Sequence, residues 1–126
     1  MTITRGRKLL TILFLLCFGL VVTRHAWLSD DAYITFRTVD NFINGYGLTW
    51  NVVERVQAYT HPLWMLLLSA VYFFTREAFF SSQLLSITVS LLAVFVLVTR
   101  IANSSTAALL GVAVLTLSKA FVDYST

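Results

Sequence analysis

The chain has 126 residues, 58% of them hydrophobic and 12% charged, with a net charge of +3. A soluble domain is about half apolar and roughly a quarter charged, so this composition argues against an aqueous single-core fold and makes lipid the expected solvent. The single cysteine, Cys17, excludes a disulfide framework and a cysteine-based metal site and is expected as a small buried residue; no basic stripe interleaved with aromatics occurs, so no nucleic acid is expected as a partner.

Arg5, Arg7 and Lys8 precede the first apolar run and predict a cytoplasmic N-terminus. The run is followed by Thr23-Arg24-His25-Ala26-Trp27, which lacks the small residues of a cleavage site, so an uncleaved anchor is expected. Residues 9–28 form the first expected span, since at ~1.5 Å per residue they reach ~30 Å, the thickness of the hydrocarbon core. Residues 29–61 form an external loop. Ser29 is a good N-cap, with Asp30 and Asp31 in the first turn of a helix. Ala32, Phe36, Val39 and Ile43 repeat at helical spacing, while Arg37, Asp40, Asn41 and Asn44 take another face. That pattern predicts an amphipathic juxtamembrane helix lying on the membrane, stopped at Asn44-Gly45. Turn glycines and a short extended stretch follow in Gly45–Asn51.

Pro62 suits a first helical turn. The apolar run from Leu63 to Phe74 is short for a span, so residues 62–78 are expected as a re-entrant or interfacial helix; the alternative is a further crossing, which would put Arg76 and Asp123 inside. Residues 82–99 and 106–122 supply two further spans around a polar turn carrying Arg100. The expected fold class is therefore all-α: polytopic transmembrane helices, multi-pass in the cytoplasmic membrane, with the acidic loop and Asp123 outside. The chain halts at Asp-Tyr-Ser-Thr directly after a span, which reads as a truncated fragment.

Asp30 and Asp31 have a plain role as helix-capping acids and a chemical one. A carboxylate at the mouth of a membrane protein can accept the proton of a sugar hydroxyl. Asp123 is either a solvated end residue paired with Lys119 one turn earlier or a second acid over the site. His61 and Arg37 are candidate phosphate contacts, and Arg37 also has a local ion pair with Asp30 open to it. Trp50, Tyr59 and Trp64 can stack on a sugar ring or anchor the interface.

Taken together, Asp30-Asp31-Ala32-Tyr33-Ile34, Phe36-Arg37, Gly45-x-Gly47-Leu48, Trp50-Asn51, Glu54-Arg55-Val56 and Tyr59-Thr60-His61-Pro62-Leu63-Trp64 form a specific combination. Residues 29–68 resemble the first external loop of the GT-C membrane glycosyltransferases, in particular the terminal β-(1→2) arabinofuranosyltransferases of actinobacteria. Tyr124-Ser125-Thr126 resembles the entry to a further Ser-Gly-Leu-Glu motif. Gln57 and Ala58 depart from the family pattern, which has Glu and Gly there. The resemblance implies a polyprenyl-phosphate sugar donor, a cell-envelope glycan acceptor outside the membrane, and a first-loop aspartate as base. Asp30 is then the base, Asp31 its assistant, and Arg37, Tyr59, His61 and Asp123 the substrate-binding candidates. Attack of the activated hydroxyl on the anomeric carbon would expel lipid phosphate with inversion. The sequence requires no cofactor and leaves a divalent metal open. As an N-terminal part of such an enzyme, the chain is expected to be inactive alone. The alternatives are a small transporter, disfavoured because the spans carry ionisable residues only near their ends, and a non-catalytic membrane assembly subunit in which the acids are only caps.

Overall fold

The computed structural model describes residues 5–28, 30–54 and 56–123. The expected N-cap at Ser29, the motif residue Arg55 and the terminal Tyr124-Ser125-Thr126 lie outside the described residues. Among those residues the regular structure is entirely helical: α1 (Arg5–Arg24), α2 (Asp30–Ile43), α3 (Pro62–Thr75), α4 (Phe79–Val96) continued by a π-helical turn (Leu97–Ile101), α5 (Ser105–Leu117) and α6 (Lys119–Asp123). The extended stretch expected after Gly47 is irregular turn structure rather than a strand. The chain divides into two compact units, one of Met1–Trp27 with Gln83–Thr126 and one of Leu28–Ser82.

The first unit is built on an interval of four. Phe14, Phe18 and Val22 on α1 are buried with Val94, Val98 and Ala102 and with Ala108 and Val112 of α5. A four-residue step returns to the same helix face, so these side chains form continuous stripes. Phe121 of α6 closes on Phe18, with ring centroids 5.7 Å apart. Gly111 lets α5 approach closely, since a Cβ there would lie 3.2 Å from Leu97 Cδ2. The remaining faces are apolar and uncovered: Leu9, Leu13, Leu16, Leu20, Leu84 and Leu92 are all exposed. Cys17 is exposed among them rather than buried, because it falls off the Phe14–Phe18–Val22 stripe.

Phe79–Ile101 is the helix, among the described residues, that is long and apolar enough to cross a membrane. Its 23 residues measure ~35 Å at the α-helical rise, and only 22% of its apolar window is buried. A core helix of a soluble protein would be mostly covered. It starts earlier than the sequence indicated because Glu77 reaches forward to cap it. The Glu77 carboxylate accepts from the amides of Phe79 (2.9 Å), Phe80 (2.8 Å) and Ser81 (3.2 Å), amides that have no partner inside the helix. At the other end the Ala102 amide bonds the Leu97 carbonyl at 2.8 Å, the i→i+5 closure of a π turn. Arg100 lies in that last turn, where the dipole favours a cation.

The apolar helices Leu9–Arg24, Pro62–Thr75 and Ser105–Leu117 are shorter. α1 stops at Arg24 because the chain turns at His25, whose amide is shared between the Val21 and Val22 carbonyls, both at 3.2 Å. Residues 106–122 are not one helix. Ser118 is extended (φ −75°, ψ 103°) between α5 and α6. Ser104 caps α5 by accepting from the Ala107 amide at 3.1 Å.

In the second unit α2 runs over the expected bounds. It ends in a Schellman motif: Gly45 takes φ 85°, the Tyr46 amide bonds the Asn41 carbonyl at 2.9 Å and the Gly45 amide bonds that of Phe42 at 3.2 Å. The apolar face of α2 does not stay free for lipid. Val39, with Phe36 and Ile43 beside it, packs on Met65, Leu68 and Tyr72 of α3. Pro62 occupies the first turn of α3 as expected, and Arg76 ends it in the left-handed region at φ 53°.

Candidate functional site

The polar half of α2 organises the site. Asp30, Ile34, Arg37 and Asn41 are spaced four, three and four apart, so they share one face. The face packed on α3 lies nearly opposite. α2 is therefore held on two sides, by α3 and by the Thr49–Trp50 segment of the following loop. The buried Asn41 amide donates to the carbonyls of Thr49 (2.8 Å) and Trp50 (3.0 Å). Arg37 Nε donates to the same Trp50 carbonyl at 3.4 Å, and its guanidinium sits 5.6 Å from the centre of the Trp50 ring. This cation–π contact occupies Arg37 in place of the local ion pair with Asp30 that the sequence left open.

Asp30 and Asp31 fall in the first turn of α2, as the sequence indicated, and both are exposed. Among the described residues neither carboxylate has a hydrogen-bond or ion-pair partner. One helical residue turns the direction by ~100°, so the two acids diverge. Asp30 shares the Ile34–Arg37–Asn41 face; Asp31 lies on the Thr35–Thr38 side.

A cleft of about 350 Å³ opens beside the Asp30 face, lined by Ile34, Trp50, Asn51, Glu54, Val56 and Ala58. A second recess of similar size, about 350 Å³, is lined by Tyr46, Gly47, Leu48, Thr49, Val56 and Gln57. Val56 is common to both. Thr49 is 8% exposed, and its hydroxyl is buried without a hydrogen-bond partner among the described residues. Gly47 takes φ 87°, which turns the chain between Tyr46 and Thr49.

The other expected site residues are dispersed. His61 stands exposed just before α3, its Nδ1 2.7 Å from the Thr60 hydroxyl. Tyr59 is half-buried against the Val39–Met65–Leu68 core, so its ring packs as well as lining the loop. Asp123 forms the Lys119 ion pair one turn back and belongs to the first unit, whereas Asp30, Asp31, Arg37, Tyr59 and His61 belong to the second. No group of three or more His, Cys, Asp or Glu residues placed to hold a metal occurs among the described residues.

A polar cluster that sequence reasoning missed ties α2 to α3. The Tyr72 hydroxyl donates to Asp40 Oδ1 at 2.7 Å, Asn44 donates to the same oxygen at 2.9 Å, and Arg76 donates to Asn44 Oδ1 at 3.2 Å. The spacings carried the signal: 40 and 44 on one helix, 72 and 76 on the other, each one turn apart. The bond to Asp40, with burial and the charge of Asp40 adding to it, raises the Tyr72 pKa above its ordinary value of 10.0.

Among the described residues the regular structure is helical and one helix is long and apolar enough to cross a membrane; neither feature specifies a chemistry. Comparison with known proteins narrows it. Over 38 residues, 30% of this chain and 6% of the other, it is 50% identical to the terminal β-(1→2)-arabinofuranosyltransferase of Corynebacterium glutamicum. Over 51 residues, 40% of this chain and 8% of the other, it is 41% identical to the protein of the same name from Mycobacterium tuberculosis. The chain is thus related to these glycosyltransferases over a short stretch, and it spans less than a tenth of the length of the curated relatives it matches. No family model and no solved structure matches it.

Proposed function

We propose that the chain forms the entry part of a polytopic, lipid-linked glycosyltransferase. It would move a sugar from a polyprenyl-phosphate donor to an extracytoplasmic cell-envelope glycan, with inversion at the anomeric carbon. The observation that carries this reading is Asp30: a carboxylate without a hydrogen-bond or ion-pair partner among the described residues, one turn before the cleft residue Ile34, in a chain whose short similarity is to arabinofuranosyltransferases. In the mechanism, Asp30 takes the proton of an acceptor hydroxyl as the oxygen attacks the anomeric carbon. The carbon–oxygen bond to phosphate breaks and the lipid phosphate leaves. Asp31, turned aside, orients the acceptor. His61 is the hydrogen-bonding group available to the phosphate, and Arg37 would join it on leaving Trp50.

The membrane arrangement belongs to the same reading. α4 with its π turn crosses the bilayer. α1 crosses with its apolar part ~24 Å long, helped by snorkelling of Arg24 and local thinning. α5 and α6 together make the third crossing. The 14 residues of α3 extend ~21 Å, short of the ~30 Å core, so α3 stays at the outer interface under α2. The N-terminus is then cytoplasmic and the Asp30 loop external, where a donor phosphate lies and its tail remains in lipid.

The test is a chimera in which residues 29–68 replace the matching segment of the Corynebacterium glutamicum relative, expressed in cells lacking that relative. Terminal β-(1→2)-arabinofuranose in the cell wall is measured. Restored terminal residues support the transferase reading. A correctly inserted chimera that restores none, while the relative restores them, removes it and leaves the assembly-subunit alternative.

A further inference from the structure

We propose that Asn44-Gly45 is a self-modification site: the chain converts Asn44 to aspartate and isoaspartate through a cyclic imide, at a rate held down by the Asp40–Asn44–Arg76 clasp, and the product acid unfastens α2 from α3. The fold requires a glycine at position 45, which takes φ 85°. The same glycine leaves its amide nitrogen unhindered by a side chain. Asn41, Asn51 and Asn103 instead precede Phe42, Val52 and Ser104, whose side chains crowd that nitrogen. Asn44 and Gly45 are both exposed, and even a Cβ at Gly45 would meet nothing within 4 Å. Water therefore reaches both residues.

In the reaction the Gly45 nitrogen gives its proton to solvent base and attacks Asn44 Cγ. The new N–Cγ bond closes a cyclic imide. The Cγ–Nδ2 bond breaks, and Nδ2 takes a proton from water and leaves as ammonia. Water then adds to one imide carbonyl. Cleavage of the bond from nitrogen to Cγ gives aspartate, and cleavage of the bond from nitrogen to the main-chain carbonyl carbon gives isoaspartate, whose backbone runs through the side chain. The sum is amide plus water giving acid plus ammonia.

The folded chain restrains each reacting group. The Gly45 amide donates to the Phe42 carbonyl at 3.2 Å and the Tyr46 amide to that of Asn41 at 2.9 Å, which turns the nitrogen into the helix end. The Asn44 side chain donates to Asp40 Oδ1 at 2.9 Å and accepts from Arg76 at 3.2 Å. Asp40 lies one turn back, so the side chain leans away from the Gly45 nitrogen. Attack requires these bonds to open, and the rate follows the population of the opened helix end. The product then keeps it open. An aspartate at position 44 cannot donate to Asp40, sets a like charge one turn from it and carries that charge at the helix C-terminus, where the dipole disfavours it. Isoaspartate lengthens the backbone and shifts the Gly45 and Tyr46 amides out of register. Either product leaves the Tyr72 hydroxyl as the clasp's remaining donor to Asp40 Oδ1. The modification thus loosens the helix that carries Asp30.

The experiment incubates the full chain in lipid nanodiscs at mildly alkaline pH. Peptide mapping by mass spectrometry follows Asn41, Asn44, Asn51 and Asn103, with aspartate and isoaspartate separated by chromatography. Expected is conversion at Asn44 ahead of the others, with both acids formed. In Arg76→Met, which keeps a side chain at that left-handed position, conversion should run about fivefold faster, the equivalent of one net hydrogen bond. Amides over residues 36–43 should exchange with deuterium about fivefold faster in Asn44→Asp than in the parent chain. Conversion at Asn44 no faster than at Asn103, a rate unchanged or lowered in Arg76→Met, or exchange in Asn44→Asp changed by less than about twofold overturns the proposal.

Discussion

Replacing Tyr72 with Phe removes one hydroxyl from the cluster that fastens α2 to α3. The bond lost is a 2.7 Å donation to a carboxylate. Hydrogen bonds to charged acceptors contribute about 1.5–3 kcal/mol, and the phenol is partly open to solvent, so about 1.5 kcal/mol is expected. Because Asp40 keeps its bond from Asn44, the carboxylate is not stranded and the cost stays near that figure. A factor of ten in equilibrium corresponds to about 1.4 kcal/mol, so amides over residues 36–43 should exchange with deuterium about tenfold faster in Tyr72→Phe than in the parent chain. Asp40→Asn should cost a similar amount, and the double variant little more than either single one. Alkali supplies an independent check. The folded pKa of Tyr72 is raised above 10.0, so its contribution is fully present below the unfolded value and lost as pH rises through the folded one. An ultraviolet difference titration of parent against Tyr72→Phe should show this phenol ionising after free tyrosine. Exchange over 36–43 changed less than twofold, or a phenol titrating with or before free tyrosine, would refute the clasp.

Gly45→Ala should destabilise the end of α2 by about 1–2 kcal/mol, the cost of a side chain in the left-handed region, since Gly45 takes φ 85°; exchange of the Tyr46 amide reads it. Asn41→Ala strands the Thr49 carbonyl and leaves that of Trp50 to Arg37 alone, and should cost about 2 kcal/mol, seen as a red shift of Trp50 emission in a chain also carrying Trp27→Phe and Trp64→Phe. Glu77→Ala removes the cap from three amides of α4 and should cost about 1–2 kcal/mol, confined in exchange data to Phe79–Ser82. Lys119→Met breaks an exposed i,i+4 pair and should shift stability by no more than about 0.5 kcal/mol, measured by thermal unfolding.

The parts legible in the sequence were those governed by local rules. The bounds of α2 followed from first-turn acids and Asn44-Gly45, and the start of α3 from Pro62. The divergence of Asp30 and Asp31 also follows from helix geometry once α2 is placed. What was hidden depended on which partner claims a face. The Phe36–Val39–Ile43 face looks as suited to lipid as to α3, and only tertiary packing decides between them. Asn41 read as a polar-face residue and is buried because two loop carbonyls need its amide. Thr75-Arg76-Glu77 read as an interruption, but it is a left-handed stop followed by a side-chain cap, so the long helix begins at Phe79. The break at Ser118 has no proline or glycine to announce it. The cleft was invisible because its walls come from one helix and an irregular loop, joined by Arg37 and Asn41.

The central claim is that Asp30 is the base. In the chimera carrying residues 29–68, Asp30→Asn should lower transfer to the cell-wall arabinan by at least about 100-fold, the lower bound for a general base, at unchanged membrane abundance, with Asp31→Asn less damaging. Transfer within a few-fold of the unsubstituted chimera in Asp30→Asn would contradict it.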